Sequence, residues 1–100
     1  MDTNESLLRA VLSTLGRQAF TPGAIAKILS VGVGGKKQIA AYNLCDGMTP
    51  QAEIGRRAGL DKGSLSRSLT RWINAGILFR VGPDQHPLHI YPLSKDIKEE

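Results

Sequence analysis

The sequence has few of the residues from which metal, redox and stacking sites are built. Its 100 residues include one cysteine, two histidines and five aromatic side chains. A single cysteine excludes an internal disulfide framework, and we expect Cys45 to be a small buried apolar side chain. Cys45, His86 and His89 do not have the paired spacing of metal ligands. We therefore predict no metal site and no cofactor.

Long apolar runs are also missing. No stretch approaches the roughly 18 apolar residues that cross a membrane. The N-terminal "MDTNESLL" has acids where a secretory signal has basic residues. We expect a cytoplasmic protein without a membrane partner. The length and the 41% of hydrophobic residues are typical of a small globular chain.

Catalytic patterns are absent as well. The carboxylates are scattered, and no Ser-His-Asp arrangement is supported by the spacing. The glycines of "VGVGGKK" (31–37) lack phosphate-loop spacing, and Lys37 follows Lys36 where that loop has Ser or Thr. We predict that the chain is not an enzyme and that this segment is a flexible connector. We identify no site for a small-molecule effector.

Positive charge is concentrated in the middle of the chain. Residues 36–82 hold eight Lys or Arg against three Asp or Glu, whereas the rest holds five against six. This asymmetry favours a polyanionic partner. The alternative is a solvated basic face that binds nothing.

Apolar spacing predicts three helices before residue 47. The first carries a wide apolar stripe, begins at residue 3 or 4 and stops at Gly16. The second begins with Thr21 as its cap and Pro22 in its first turn. The third covers "KKQIAAYNLCDG" (36–47). Because it is apolar on several sides, it belongs near the centre of the core.

The stretch "TPQAEIGRRAGLDKGSLSRSLTRWINAG" (49–76) predicts two more helices, joined at a tight corner. Thr49 and Pro50 begin the first, Gly59 stops it in left-handed geometry, and Asp61 caps the second. The spacing is typical of a helix-turn-helix. The buried face of the second helix consists of Leu65, Leu69, Trp72 and Ile73.

With those apolar side chains turned inward, the polar and basic side chains of the second helix point outward. We predict that the early residues of this helix contact base edges in the major groove of duplex DNA: Gly63, Ser64, Ser66, Arg67 and Thr70. Phosphate contacts set affinity without selecting sequence. We predict such contacts for Lys36, Lys37, Thr49, Gln51, Arg56, Arg57, Lys62, Arg71 and Arg80.

After Gly76 the apolar period changes. The runs "ILFRV" (77–81) and "LHIYP" (88–92) predict two strands joined by the turn-rich "GPDQHP". Together with "AEIGRRAGLDKGSLSRSLTRWINAGIL" (52–78), they make residues 36–92 resemble the winged helix-turn-helix of bacterial MarR-like transcriptional regulators. The resemblance implies a mainly α (α+β) fold of about five helices with a C-terminal two-stranded β-wing. It also implies that Ser64, Ser66 and Arg67 lie in the segment that enters the groove.

The sequence departs from that family in two respects. MarR-like proteins form their dimer through long flanking helices, whereas this chain ends at "SKDIKEE" without a C-terminal helix of that kind. The tip of the predicted wing carries Asp84, Gln85 and His86, and its nearest cation is Arg80 at the base. We therefore expect the wing to contact the DNA backbone weakly or not at all.

We predict a homodimer through the first helix, because its stripe is wider than so small a core needs. The stripe consists of Leu7, Leu8, Val11, Leu12 and Leu15. The alternative is that the stripe packs on its own domain. The expected organisation is an N-terminal helical extension over 1–34, the winged domain over 35–93 and a charged tail over 94–100.

The function we expect is sequence-specific binding of duplex DNA by a small transcriptional regulator, through a recognition helix at about 61–75. The alternative is a winged-helix module that docks onto other proteins, because the fold alone does not determine whether such a module binds DNA or protein. Docking faces more often present exposed Tyr, Trp or Leu, and we expect Trp72 to lie in the core. RNA or single strands would require exposed aromatics for stacking.

Overall fold

We describe residues 3–30 and 35–94 in a computed structural model of the protein. These residues form five helices followed by a two-stranded antiparallel hairpin. The predicted class, mainly α with a small C-terminal hairpin, is confirmed. Residues 31–34 of the predicted connector (31–37) and residues 95–100 of the predicted tail lie outside the described residues, and residues 35–37 of the connector instead begin the third helix. The elements are α1 (Thr3–Ala19), α2 (Pro22–Leu29), α3 (Gly35–Asn43), α4 (Gln51–Ala58), α5 (Lys62–Ala75), β1 (Leu78–Val81) and β2 (His86–His89).

One hydrophobic core joins α2, α3, α4, α5 and the hairpin. Its largest fully buried side chain is Trp72, whose ring meets Tyr42 edge-on with 6.0 Å between the ring centroids. Cys45 is also fully buried, and both the Trp72 and the Cys45 predictions are confirmed. Burial of each large apolar side chain stabilises the fold by roughly 1.5–3 kcal/mol.

The predicted caps and stops are confirmed at four positions. The Thr21 hydroxyl accepts a hydrogen bond from Ala24 N at 3.1 Å, and the Asp61 carboxylate accepts one from Ser64 N at 2.7 Å. Gly59 and Gly76 end α4 and α5 with φ of 76° and 86°. Glycine tolerates this left-handed geometry because it has no Cβ.

The prediction that α1 stops at Gly16 is wrong, because α1 continues to Ala19. Gly16 is buried inside the helix against Ile90, and a Cβ added to Gly16 would lie 2.8 Å from Ile90 Cβ. Gly16 therefore permits a close approach between α1 and Ile90 and does not end the helix. The alternative that the apolar stripe packs on its own domain is wrong for four of its five residues, because Leu7, Leu8, Val11 and Leu15 are exposed, whereas Leu12 is half-buried.

The ends of α3 and the start of α4 also differ from expectation. α3 ends at Asn43, and its buried side chains are Gln38, Ala41 and Tyr42. Of the apolar residues predicted to place this segment in the core, Ala41 and Cys45 are buried, Ile39 and Leu44 are half-buried, and Ala40 is exposed. Thr49 does not cap α4. Its hydroxyl donates to the Asp46 carboxylate at 3.1 Å, and Asp46 also accepts from Met48 N and Thr49 N at 2.8 Å.

The hairpin begins as predicted, but its second strand lies earlier in the chain than "LHIYP". Leu78 pairs with His89 and Val81 with His86, so the connecting loop is only Gly82–Gln85. Pro87, which the sequence predicts to lie in the loop, instead pairs with Arg80, and its carbonyl accepts a hydrogen bond from Gly47 N at 2.9 Å. The loop is short because Gly82 and Gln85 both adopt positive φ.

Candidate nucleic-acid interface

The corner between α4 and α5 depends on a close approach at Gly55. A Cβ added to Gly55 would lie 3.1 Å from the Leu60 carbonyl oxygen and 3.3 Å from Leu65 Cδ2. The N–H groups of Gly59 and Leu60 both donate to the Gly55 carbonyl. Leu60 is half-buried against the core. These contacts fix α5 relative to α4, so that one edge of α5 packs inward and the other faces solvent.

The outer face of α5 is polar and basic along its length. The helix has three cations and no acidic residue. Most of the predicted contact residues are exposed as expected: Lys62, Gly63, Ser66, Arg67 and Thr70. Leu65, Ser68, Leu69 and Trp72 form its buried face. α5 thus presents cations and hydroxyls to solvent without any large exposed apolar side chain.

Three residues at the start of α5 are linked by hydrogen bonds. The Ser64 hydroxyl donates to Asp61 Oδ2 at 3.2 Å, and Arg67 Nη2 donates to Ser64 Oγ at 3.4 Å. The hydrogen bonds from Ser64 N and Oγ hold the pKa of Asp61 below its ordinary value, and the Arg67 charge acts in the same direction. Asp61 is therefore ionised at neutral pH and orders the first turn of α5.

Gly63 has no side chain and so leaves space for the Arg67 guanidinium along this turn. A Cβ added to Gly63 would lie 3.3 Å from Arg67 Nη1 and 3.6 Å from Asp61 Oδ1. The helix therefore leaves room for Arg67 to lie beside the Asp61 carboxylate. We name Asp61, Gly63, Ser64 and Arg67 the α5 start cluster.

Arg56 and Arg57 are both exposed at the end of α4, but their surroundings differ. Arg56 makes two hydrogen bonds of 2.7 Å to the Glu53 carboxylate, through Nε and Nη2. The Arg56 hydrogen bond lowers the pKa of Glu53. Sequence reasoning overlooks Glu53, although its spacing of three residues from Arg56 on one helix is the signal for such a pair. Arg57 lies on the side of α4 that faces α3.

A second basic group spans α3 and α4. Lys36 and Arg57 line the same surface depression, whose floor includes Ile39 and Leu44. The Lys37 side chain reaches the α4–α5 corner, where a Cβ added to Gly59 would lie 3.6 Å from Lys37 Cε. The structure therefore brings two predicted phosphate contacts on α3, the consecutive Lys36 and Lys37, close to a third, Arg57, which lies 20 residues after Lys37 in the sequence. We name Lys36, Lys37 and Arg57 the α3–α4 basic cluster.

Two further arginines that the sequence predicts to contact phosphate differ in their exposure to solvent. Arg71 is half-buried, and its Nη2 lies 3.5 Å from the Ser68 hydroxyl, so it is the least accessible cation of α5. Arg80 is exposed and donates to the Gln85 carbonyl at 3.2 Å and to Gln51 Oε1 at 3.3 Å. Arg80 thereby links the hairpin to the start of α4.

Comparisons of the chain with protein-family models, with curated proteins and with solved structures find no match. None of the helices in residues 3–30 and 35–94 has the length and apolar content that a membrane crossing requires.

Proposed function

We propose that the protein is a winged helix-turn-helix of the MarR-like type that binds duplex DNA through α5 and regulates transcription. The proposal depends above all on the composition of the solvent face of α5. This face combines exposed Lys62, Ser66, Arg67 and Thr70 with no acid in the helix and no exposed large apolar side chain. A helix of this kind matches the major groove, which admits one helix and offers hydrogen-bond acceptors and donors.

Within this proposal the cations have distinct roles. Arg67 at the first turns of α5 contacts guanine acceptors or a phosphate, and Ser66 and Thr70 provide hydroxyls on the same face. The α3–α4 basic cluster contacts the phosphate backbone beside the groove. Arg56 contributes less than Arg57, because the Glu53 carboxylate offsets its charge. The hairpin acts as a wing that reaches the backbone only through Arg80.

The test is fluorescence anisotropy of a mixed-sequence duplex titrated with protein from low salt to about 200 mM, followed by selection of a preferred site. We expect log K to fall linearly with log salt, with a slope that implies roughly 4–8 phosphates neutralised per dimer. Arg67→Ala should weaken binding at the selected site by about 1–3 kcal/mol, because a base contact is lost.

Lys27→Ala provides a matched control, since Lys27 is an exposed cation on α2. That variant should bind the selected site like the wild type. An Arg67→Ala variant with unchanged affinity would contradict the groove assignment. Absence of duplex binding even at low salt would instead favour protein docking, for which the exposed Met48 and Phe79 are the supporting observation.

A further inference from the structure

Asp61 is an exposed acid on the surface that the proposed function places against DNA. Of the acids in residues 49–76, Glu53 pairs with the Arg56 guanidinium at 2.7 Å, whereas Asp61 stands at the start of α5 among its cations. An exposed carboxylate lowers the affinity for a polyanion unless it accepts a hydrogen bond from it. Serine or asparagine caps a helix as well as aspartate does, without the charge. The cap alone therefore does not account for a negative charge at this position.

The Asp61 carboxylate has acceptor positions to spare. Its Oδ1 accepts a hydrogen bond from Ser64 N at 2.7 Å and its Oδ2 accepts one from Ser64 Oγ at 3.2 Å, with a weaker interaction from the Gly63 N–H. An ionised carboxylate accepts at about four positions. Because the side chain is exposed, an acceptor position remains open to a donor on a ligand.

The Arg67 guanidinium lies beside this carboxylate, at the place where Gly63 has no side chain. Arg67 Nη1 and Asp61 Oδ1 lie 3.3 and 3.6 Å from the point that a Cβ at Gly63 would occupy. Arg67 Nη2 donates to the Ser64 hydroxyl at 3.4 Å, and a guanidinium has about five N–H donors in all. The α5 start cluster therefore presents several donors next to an acceptor on one exposed edge of the helix.

The major-groove edge of a G·C pair has the complementary pattern. Guanine presents two adjacent acceptors, N7 and O6, and cytosine presents its N4 amino donor next to them. An A·T pair lacks two adjacent acceptors, because the adenine N6 amine lies between adenine N7 and thymine O4. Building on the proposed function, we propose that Arg67 and Asp61 together recognise one G·C pair: Arg67 donates to guanine N7 and O6, and Asp61 accepts from cytosine N4.

The charge of Asp61 then selects against other base pairs. Thymine O4, guanine O6 and the phosphate oxygens are all acceptors, so a carboxylate placed against any of them is repelled. Asp61 therefore lowers the affinity for non-matching duplexes, whereas the hydrogen bond to cytosine offsets this repulsion at the matching pair. In this assignment Asp61 is a specificity-determining residue, and the Ser64 hydroxyl links it to Arg67.

The test uses duplexes in which one base is altered at each G·C pair of the selected site in turn. N4-methylcytosine keeps its Watson–Crick pairing but has a methyl group in place of the groove-facing N4–H, and 7-deazaguanine lacks the N7 acceptor. At one pair we expect each altered base to weaken wild-type binding by roughly 10-fold or more, the equivalent of one charge-assisted hydrogen bond. Fluorescence anisotropy at low salt measures the affinities.

Two variants assign each altered base to one side chain. Asp61→Ser keeps a cap for α5 but is shorter and uncharged, so it should lose the response to N4-methylcytosine and keep the response to 7-deazaguanine. Arg67→Ala should show the reverse. Glu53→Gln is the matched control, because it removes one negative charge from α4 and should retain both responses. Circular dichroism verifies that Asp61→Ser retains its helices.

A selected site without a G·C pair at which both altered bases weaken binding would overturn the assignment. An Asp61→Ser variant that still responds to N4-methylcytosine would also overturn it, because another group would then face the cytosine. Binding of the mixed-sequence duplex is measured first. Its absence contradicts the proposed function and this assignment together, whereas duplex binding that is indifferent to the altered bases contradicts this assignment alone.

Discussion

At the scale of single residues, the Ser64 hydroxyl connects the cap of α5 to Arg67, because it donates to Asp61 Oδ2 and accepts from Arg67 Nη2. The sequence correctly predicts Asp61 as a cap and Arg67 as exposed, because helical spacing determines both. It does not predict that the Ser64 hydroxyl is engaged by Asp61 and Arg67, because spacing does not determine rotamers. In the proposed function Ser64 therefore becomes a residue that positions Arg67, in place of the base contact expected for it.

Gly63→Ala tests whether the place of the Arg67 guanidinium matters for DNA binding. The added Cβ lies 3.3 Å from Arg67 Nη1, and the flexible guanidinium is what moves. We expect the free energy of unfolding to rise by about 0.5–1 kcal/mol, because alanine restricts the unfolded chain more than glycine. Duplex affinity should fall by up to about 10-fold, the equivalent of one lost hydrogen bond. Urea unfolding and anisotropy measure the two effects separately.

A double-mutant cycle identifies the cause of that loss. In an Arg67→Ala background, Gly63→Ala should have no further effect on affinity, because the displaced group is gone. Equal losses in both backgrounds would mean that Gly63 acts by letting the backbone approach the duplex, and would contradict the positioning role.

At the scale of elements, the sequence predicts helices by their apolar period and misplaces ends that tertiary contacts determine. The period finds all five helices and β1. It stops α1 at Gly16, because a glycine after an apolar run usually marks a helix end, whereas here Gly16 makes room for Ile90. It displaces β2 towards residues 88–92, because Pro87 is typical of a loop. In the structure the Pro87 carbonyl bonds Gly47, a partner far away in sequence.

The candidate interface likewise has features that spacing predicts and features that tertiary packing determines. The face of α5 follows from spacing alone and is predicted almost completely. The grouping of Lys36, Lys37 and Arg57 depends on how α3 packs against α4, which no local pattern encodes. The exposure of the α1 stripe likewise depends on which side of α1 meets Ile90. For the stripe the sequence leaves two interpretations open, and its exposure depends on the packing of α1.

Gly16→Ala tests the close approach between α1 and the segment after β2. The new Cβ lies 2.8 Å from Ile90 Cβ, nearer than side chains pack, so α1 or the Ile90 segment must shift. We expect a loss of about 1–3 kcal/mol in the free energy of unfolding, as for other overpacked sites. Gly35→Ala is the matched control, since its Cβ meets only Ser30 Cβ at 4.0 Å. If both variants lost the same stability, the close approach would not be the cause.

At the scale of the whole molecule, buried and part-buried polar contacts join the segment after β2 to α3, about 50 residues earlier in the sequence. The Tyr42 hydroxyl donates to the Tyr91 carbonyl at 2.8 Å. Asn43 and Leu93 exchange two hydrogen bonds, at 2.9 and 2.8 Å. Burial raises the pKa of Tyr42 well above its ordinary value, so its hydroxyl remains a donor over the whole physiological range. Because these hydrogen bonds tie α3 to the segment after β2, the hairpin and α3 should unfold together.

His89 makes the stability of this assembly depend on pH. His89 is 8% exposed, its Nδ1 lies 2.9 Å from the Tyr42 carbonyl oxygen, and Arg9 and Asp46 are its charged neighbours. Burial, and secondarily the Arg9 charge, hold the pKa of His89 below its ordinary 6.5, against the opposing effects of Tyr42 and Asp46. Below about pH 6.5 the unfolded chain therefore binds a proton that the folded chain resists.

It follows that the free energy of unfolding should fall as the pH drops below 6.5, by at most about 1.4 kcal/mol per pH unit, until the folded pKa is passed. Asp46 and Asp61 have lowered pKa values, so their contributions to the free energy of unfolding are lost only under more acidic conditions. His89→Gln keeps a donor for the Tyr42 carbonyl but cannot take up a proton. Urea unfolding between pH 5 and 7.5 should give a flatter profile for this variant, with His86→Gln on the same strand as the control. A profile for His89→Gln as steep as that of the wild type would assign the acid sensitivity to another group.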